Sequence, residues 1–216
     1  WLHRCSKLCQ HKATTRKKDH SVLSIICALY LSHEEDDDGL VRPLQFFSFL
    51  LKEAKSDPEM VLSLHQCIIR CGLESDPSLG CILMHFYLNF QKLEEINMIF
   101  SFLDHSNVHV WSIFILAHVK LGHSHMAILL YTRMVQMSID PTVDILVSVF
   151  NACAASLDLH QGMSIHLQAI QYGLDLNVSV GNSLIHMYIK CGKLYLAERL
   201  FAKLPLRNVV TWNSLM

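Results

Sequence analysis

The stretch VSVGNSLIHMYIKCGKLYLAERLFAKLPLRNVVTWNSLM, residues 178–216, decides the fold. Leu184 and Tyr188 stand four apart, as do Ile185 and Ile189, so its first part has a helical apolar face. Cys191-Gly192 breaks that helix, because glycine takes the left-handed conformation that ends a helix at little cost. Leu194, Ala197, Phe201 and Leu204 are then expected on one face of a second helix, with Lys193, Glu198, Arg199 and Lys203 off it. Pro205 stops that helix, since it has no N–H to extend the ladder. Two helices this short cannot bury their apolar faces on each other alone. The unit needs neighbours.

Working outward, the neighbours appear at a fixed offset of 101 residues. Ser78, Gly80, Leu83, His85 and Tyr87 match Ser179, Gly181, Leu184, His186 and Tyr188. Lys92, Leu93, Phe100, Leu103 and Asn107 match Lys193, Leu194, Phe201, Leu204 and Asn208. The offset runs on into Val108/Val209 and Trp111/Trp212, and upstream into His65/His166, Gly72/Gly173 and Leu73/Leu174. Self-similarity held over three consecutive segments is the signature of a repeat solenoid.

From Val108 the chain divides into units of 35, 35 and 31 residues, which together make the 101-residue offset. NSLIHMYIKCGKLYLAERLFAKLPLRNVVTWNSLM resembles the short motif of the plant pentatricopeptide repeat family, followed by the start of a standard motif. SVFNACAASLDLHQGMSIHLQAIQYGLDLN resembles that family's long motif, and VHVWSIFILAHVKLGHSHMAILLYTRMVQMSIDPT its standard 35-residue motif. Alternating standard, long and short units set apart the subfamily mostly associated with organelle RNA editing. The resemblance covers residues 42–216 and implies an all-α, right-handed α-solenoid of helix-turn-helix repeats, each touching only its neighbours. On that frame 42–76 is a long-type repeat, 77–107 short-type, 108–142 standard, 143–177 long-type and 178–208 short-type. Residues 209–216 open a truncated standard repeat.

Within these units the spacing predicts helices over Gln45–Lys55 and Glu59–Arg70, with Pro58 suited to a first turn. In 77–107, Asn89-Phe90-Gln91 replaces Lys190-Cys191-Gly192, and losing that glycine is expected to weaken the cap without abolishing the fold. In 108–142 the apolar faces read Trp111, Phe114, Ile115, His118, Val119 and then Met126, Leu129, Leu130, Arg133, Met134. Leu157-Asp158 breaks 143–177 in the same way.

Composition agrees. The 216 residues are 51% hydrophobic and 17% charged, with a formal net charge of −1, which fits a well-buried helical protein and argues against disorder. No uncharged apolar run reaches the ~20 residues of a membrane helix, so no membrane partner is expected. In residues 1–41, Arg4, Lys7, Lys12, Arg16, Lys17 and Lys18 precede any acidic residue, as in an organelle transit peptide or simply a disordered leader. Val22–Leu31 could form a short helix there, before the acidic linker Glu34–Asp38. The opening on Trp1 and the stop eight residues into a new unit are what a piece of a longer protein would have.

Eight cysteines and fourteen histidines invite a metal reading, but Cys5/Cys9 and Cys67/Cys71 have no second pair at zinc-ligand spacing. Cys153 and Cys191 read as small packing residues, and His65 and His166 as equivalent packed positions. No metal, cofactor or small-molecule substrate is expected. No catalytic residue can be assigned either: the zinc deaminase signature H-x-E with P-C-x-x-C is absent, although longer editing-type members often carry such a domain beyond the repeats.

The resemblance implies a function in which one repeat reads one base of single-stranded RNA with two or three side chains. The reading residues would be the fifth and last of each unit, with the second packing on the base. The short unit then offers Asn182 with Asn208, packed by Ser179, a pair the family associates with a pyrimidine. The standard unit offers Ser112 with Thr142, packed by His109; Ser112 leans towards a purine, while Thr142 departs from the usual Asp or Asn. Cys81 pairs with Asn107, though Cys81 is a poor reader. Asn213, packed by Val210, would read in the truncated unit. In the long units Val147 and Phe46 cannot donate to a base. The implied partners are organellar RNA, in mitochondrion or chloroplast, and editing-complex proteins. The alternative is a protein-binding scaffold of the tetratricopeptide kind, which 34-residue repeats would favour. The 35-35-31 alternation, the Lys190-Cys191-Gly192 turn and Val209-Val210-Thr211-Trp212-Asn213 favour RNA.

Overall fold

Short helices joined by tight turns make up the computed structural model, which describes residues 43–54 and 57–215. The expected leader and short helix in 1–41 lie outside the described residues. Among the described residues there are eleven helices and no strand. They are α1 (Pro43–Ala54), α2 (Pro58–Arg70), α3 (Pro77–Asn89), α4 (Leu93–Phe102), α5 (Val108–Lys120) and α6 (Ser124–Gln136). After them come α7 (Val143–Ser156), α8 (Leu159–Gln171), α9 (Val178–Lys190), α10 (Leu194–Lys203) and α11 (Val209–Leu215). The all-α class is as expected.

The starts follow from side-chain chemistry. Asp57, Asp76, Asn107, Thr142, Asp158 and Asn177 each stand just before a helix and accept a hydrogen bond from one of its first backbone N–H groups. Each such cap contributes about 1 kcal/mol. The stops follow from backbone conformation: Gly192 has φ 72°. Gln91, its 101-residue twin, reaches φ 56° despite its side chain. The turns close alike, Lys193 N–H donating to Tyr188 O at 2.7 Å and Lys92 N–H to Tyr87 O at 2.9 Å. The missing glycine therefore leaves the turn geometry intact and costs only the strain of a left-handed glutamine.

The chain divides into two compact units, Trp1–Asp104 and His105–Met216. In the first, α1 packs on α2 and α3, α2 on α3, and α3 on α4. In the second, α5, α7, α9 and α11 lie side by side, each packed on the next. The partners α6, α8 and α10 each pack on the first helix of their own pair and on that of the next. This is nearest-neighbour stacking. Trp111, Tyr131, Phe150, Ile115, Met134 and Ile145 are buried in the second unit, and Leu51, Leu64, Ile68, Leu79 and Met84 in the first. Each such side chain contributes about 1.5–3 kcal/mol by leaving water.

Two expected stripes shift. The buried face of α6 is Ala127, Leu130, Tyr131 and Met134, while Met126 and Leu129 are exposed, at 47% and 62%. Along α10 and its end the expected Ala197 and Leu204 are buried and Phe201 is half-buried, while Leu200 is buried beside them and Leu194 is exposed.

The matched positions of the sequence repeat turn out to be contacts. A Cβ on Gly80 would lie 2.6 Å from Leu103 Cδ1, and one on Gly181 would lie 2.5 Å from Leu204 Cδ2. His65 Nδ1 and Tyr87 Oη are hydrogen-bonded at 2.8 Å, and His166 Nδ1 and Tyr188 Oη at 2.7 Å. Each pair spans 22 residues and joins the second helix of one unit to the first helix of the next.

Candidate nucleic-acid interface

The exposed edge of the first helices is where base-reading residues were expected. Ser179 and Asn182 stand three apart on α9, so they neighbour one another on its surface. Ser179 is exposed and Asn182 half-buried. Because α9 packs on α11, the residue just before α11 comes beside Asn182: its Nδ2 donates to Asn208 Oδ1 over 3.4 Å, across 26 residues of sequence. That bond is long and weak by itself.

What holds the pair is the start of α11. Asn208 Oδ1 also accepts from Thr211 N–H and from Thr211 Oγ1–H, each at 2.9 Å. Asn208 N–H in turn donates to Thr211 Oγ1 at 3.1 Å. Thr211 is fully buried. Sequence reasoning missed this residue, although a hydroxyl three positions after a capping residue is a recognisable reciprocal-cap signal. Asn182 Oδ1 is shielded from solvent and has no hydrogen-bond partner among the described residues.

The other expected readers are placed less completely. Ser112 is half-buried on α5, one turn after exposed His109, while Thr142 caps α7 by accepting from Ile145 N–H at 3.5 Å. Asn213 and Val210 are both exposed on α11. Cys81 is half-buried on α3, and burial, with the Asp76 carboxylate beside it, pushes its thiol above the ordinary range. Cys81 and Asn107 fall in different compact units; Asn107 caps α5, its Oδ1 accepting from His109 N–H at 2.9 Å. Ser112, Asn182 and Asn213 thus occupy the same register position on α5, α9 and α11, all in the row of first helices.

Charge along these helices is sparse. Asn182 is followed at four-residue steps by His186 and Lys190, both exposed on the same face of α9. From Arg42 to Asn208 there are 12 basic and 13 acidic residues, so the stretch carries no net positive charge with which to neutralise phosphates.

His65, His118, Cys67 and Cys153 are buried and His166 is half-buried. Burial lowers the pKa of His65, His118 and His166, and holds the Tyr87 hydroxyl up at about 12. Cys153 is buried and its thiol is pushed up to about 12. Among the described residues no group of histidines, cysteines or carboxylates could hold a metal ion. No helix among them is long and apolar enough to cross a membrane.

Residues 109–139 and 182–209 match the PPR repeat family. The pentatricopeptide repeat-containing protein At4g39530 of Arabidopsis thaliana is 30% identical over 157 residues, 73% of this chain and 19% of the relative. The mitochondrial pentatricopeptide repeat-containing protein At3g24000 of the same organism is 27% identical over 93% of this chain and 34% of the relative. The chloroplastic At1g11290 is 33% identical over 71% of this chain and 19% of the relative. The chain spans between a fifth and a third of the length of these curated relatives. Their names place two of the three in mitochondrion or chloroplast, which supports the organellar location expected for this chain. By its repeats, their packing and these matches, the chain belongs to the PPR repeat family.

Proposed function

We propose that the chain is the base-reading part of a sequence-specific, organellar single-stranded RNA-binding protein. The observation that carries this is the meeting of Asn182 and Asn208 at an accessible helix edge, 3.4 Å apart although 26 residues separate them. Two amides held side by side can address the hydrogen-bonding edge of one unstacked base. The pairs Asn182/Asn208 and Ser112/Thr142, together with Asn213, are assigned to bases, and Ser179, His109 and Val210 to packing on them. Cys81 with Asn107 contributes little selectivity. The division into standard, long and short units at the boundaries given above, and with it a role in C-to-U editing or RNA processing beside editing-complex proteins, rests on motif lengths. No chemistry is assigned to this chain.

Titration of the purified 216-residue chain with single-stranded RNA, the same sequence as DNA, and duplex RNA tests the assignment. Preference for one single-stranded RNA sequence over its permutations is expected, with a shallow salt dependence, because few phosphates are neutralised. Equal binding to all three, with a steep salt slope, would refute it. A second reading has one observation in its favour. Leu129, Leu167 and Tyr195 on the second helices are 62%, 63% and 67% exposed, more apolar surface than RNA needs and what a protein partner would cover.

A further inference from the structure

We propose that Thr211 is a positioning residue for base recognition by the preceding unit, fixing both amides so that they offer RNA hydrogen-bond donors only. This rests on the assignment of Asn182 and Asn208 as base readers.

Thr211 N–H is a donor that cannot be exchanged for an acceptor, and it points at Asn208 Oδ1 from 2.9 Å. By itself that single bond favours the Asn208 amide with oxygen inward without fixing it. The hydroxyl reinforces it by donating to the same oxygen at 2.9 Å while accepting from Asn208 N–H at 3.1 Å, so neither backbone nor side chain can turn without losing two bonds. Asn208 itself is exposed, and its nitrogen is the polar atom left for a ligand. The orientation then passes to Asn182. Facing a fixed acceptor, Asn182 must present Nδ2 to it, which it does at 3.4 Å. The reversed rotamer would set oxygen against oxygen. Asn182 Oδ1 is left shielded and unpartnered, an arrangement its own surroundings give no reason for. With both oxygens withdrawn, the pair complements a base edge rich in acceptors; cytosine, with N3 and O2 side by side, offers two.

The same chain holds the control. At the 101-residue offset Asn208 corresponds to Asn107 and Thr211 to Val110. Val110, like Thr211, is fully buried, but it has no hydroxyl, and Asn107 Oδ1 accepts instead from His109 N–H. Thr211→Val therefore copies a side chain already accommodated at the equivalent place and should fold.

The test compares the full chain with T211V, T211S and T211A by two readouts. Side-chain amide NMR signals of Asn208 in the free protein should move in T211V and T211A and stay near wild type in T211S. Selection from a pool of random single-stranded RNA should show one motif position losing about fivefold in base preference in T211V and T211A, the worth of one neutral hydrogen bond. The other positions should be unchanged and T211S close to wild type. Unmoved amide signals in T211V would overturn the lock regardless of RNA. An even loss of affinity for every sequence would reduce Thr211 to a fold residue and overturn the proposal. If wild type selected no base at any position, the reader assignment itself would fall, with the NMR result then deciding the lock separately.

Discussion

The two matched segments, 77–107 and 178–208, share a scaffold and differ along their open edge. Both press a glycine against a leucine, Gly80 on Leu103 and Gly181 on Leu204, and both carry a tyrosine bonded to a histidine of the preceding helix. Yet the fifth residue is Cys81 in one and Asn182 in the other, and the turn is closed by Gln91 in one and Gly192 in the other. The lesson is a division of labour. Residues that let one helix pair stack on the next are repeated, because every junction poses the same packing problem. Residues on the open edge are free to differ, because there each unit faces a different neighbour.

The largest effect should come from the repeated contacts. Leu103→Ala and Leu204→Ala each remove a buried leucine that seats a glycine, and each should cost about 2–5 kcal/mol of stability by urea unfolding. Similar losses in both support a shared scaffold. A loss in only one repeat would break the comparison.

Next come the tyrosine–histidine bonds. Tyr87→Phe and Tyr188→Phe should each cost about 1–2 kcal/mol, since a part-buried histidine nitrogen loses its partner. The same pairs set a pH dependence. Burial holds His65 and His166 below their ordinary value of 6.5 in the folded chain. As pH falls below 6.5 the unfolded chain binds protons that the folded chain resists, so stability is full above 6.5 and declines below it. Urea midpoints should drop on acidification, and less steeply in a His65→Phe, His166→Phe double variant. A midpoint flat through this range would contradict the burial of neutral imidazoles.

The turns give the smallest effect. Gln91→Gly relieves a left-handed glutamine and should stabilise by up to about 1 kcal/mol, while Gly192→Gln should destabilise by a similar amount. Opposite signs in thermal unfolding sharpen the comparison; equal signs would mean that the two turns are not equivalent.

Much of this was legible in the sequence, for identifiable reasons. The 101-residue offset marked His65, Tyr87, Gly80 and Leu103 with their partners, because contacts that recur leave residues that recur. It did not reveal that they touch, since pairs 22 residues apart on different helices have no signature in local periodicity. The faces of α6 and α10 were read in part, with Leu130, Met134, Ala197 and Leu204 buried but Met126, Leu129 and Leu194 exposed, because a 3.6-residue period fixes a direction only as well as its neighbours do. At the site, Asn182 and Asn208 stood out by family resemblance, and their meeting follows from α9 packing on α11. Thr211 stayed hidden because it looks like an ordinary start of a helix. Its importance lies in a bond back to the residue before that helix.

The measurement that bears most directly on the central claim is RNA selection by Asn182→Ser, a change at the open edge that leaves Gly181, Leu204 and the His166–Tyr188 bond untouched. Melting should stay within the spread of surface substitutions, about 0.5 kcal/mol. One position of the selected motif should turn from pyrimidine to purine while every other position keeps its base. A motif left unchanged, or one weakened evenly along its length, would contradict the claim that this helix edge reads RNA.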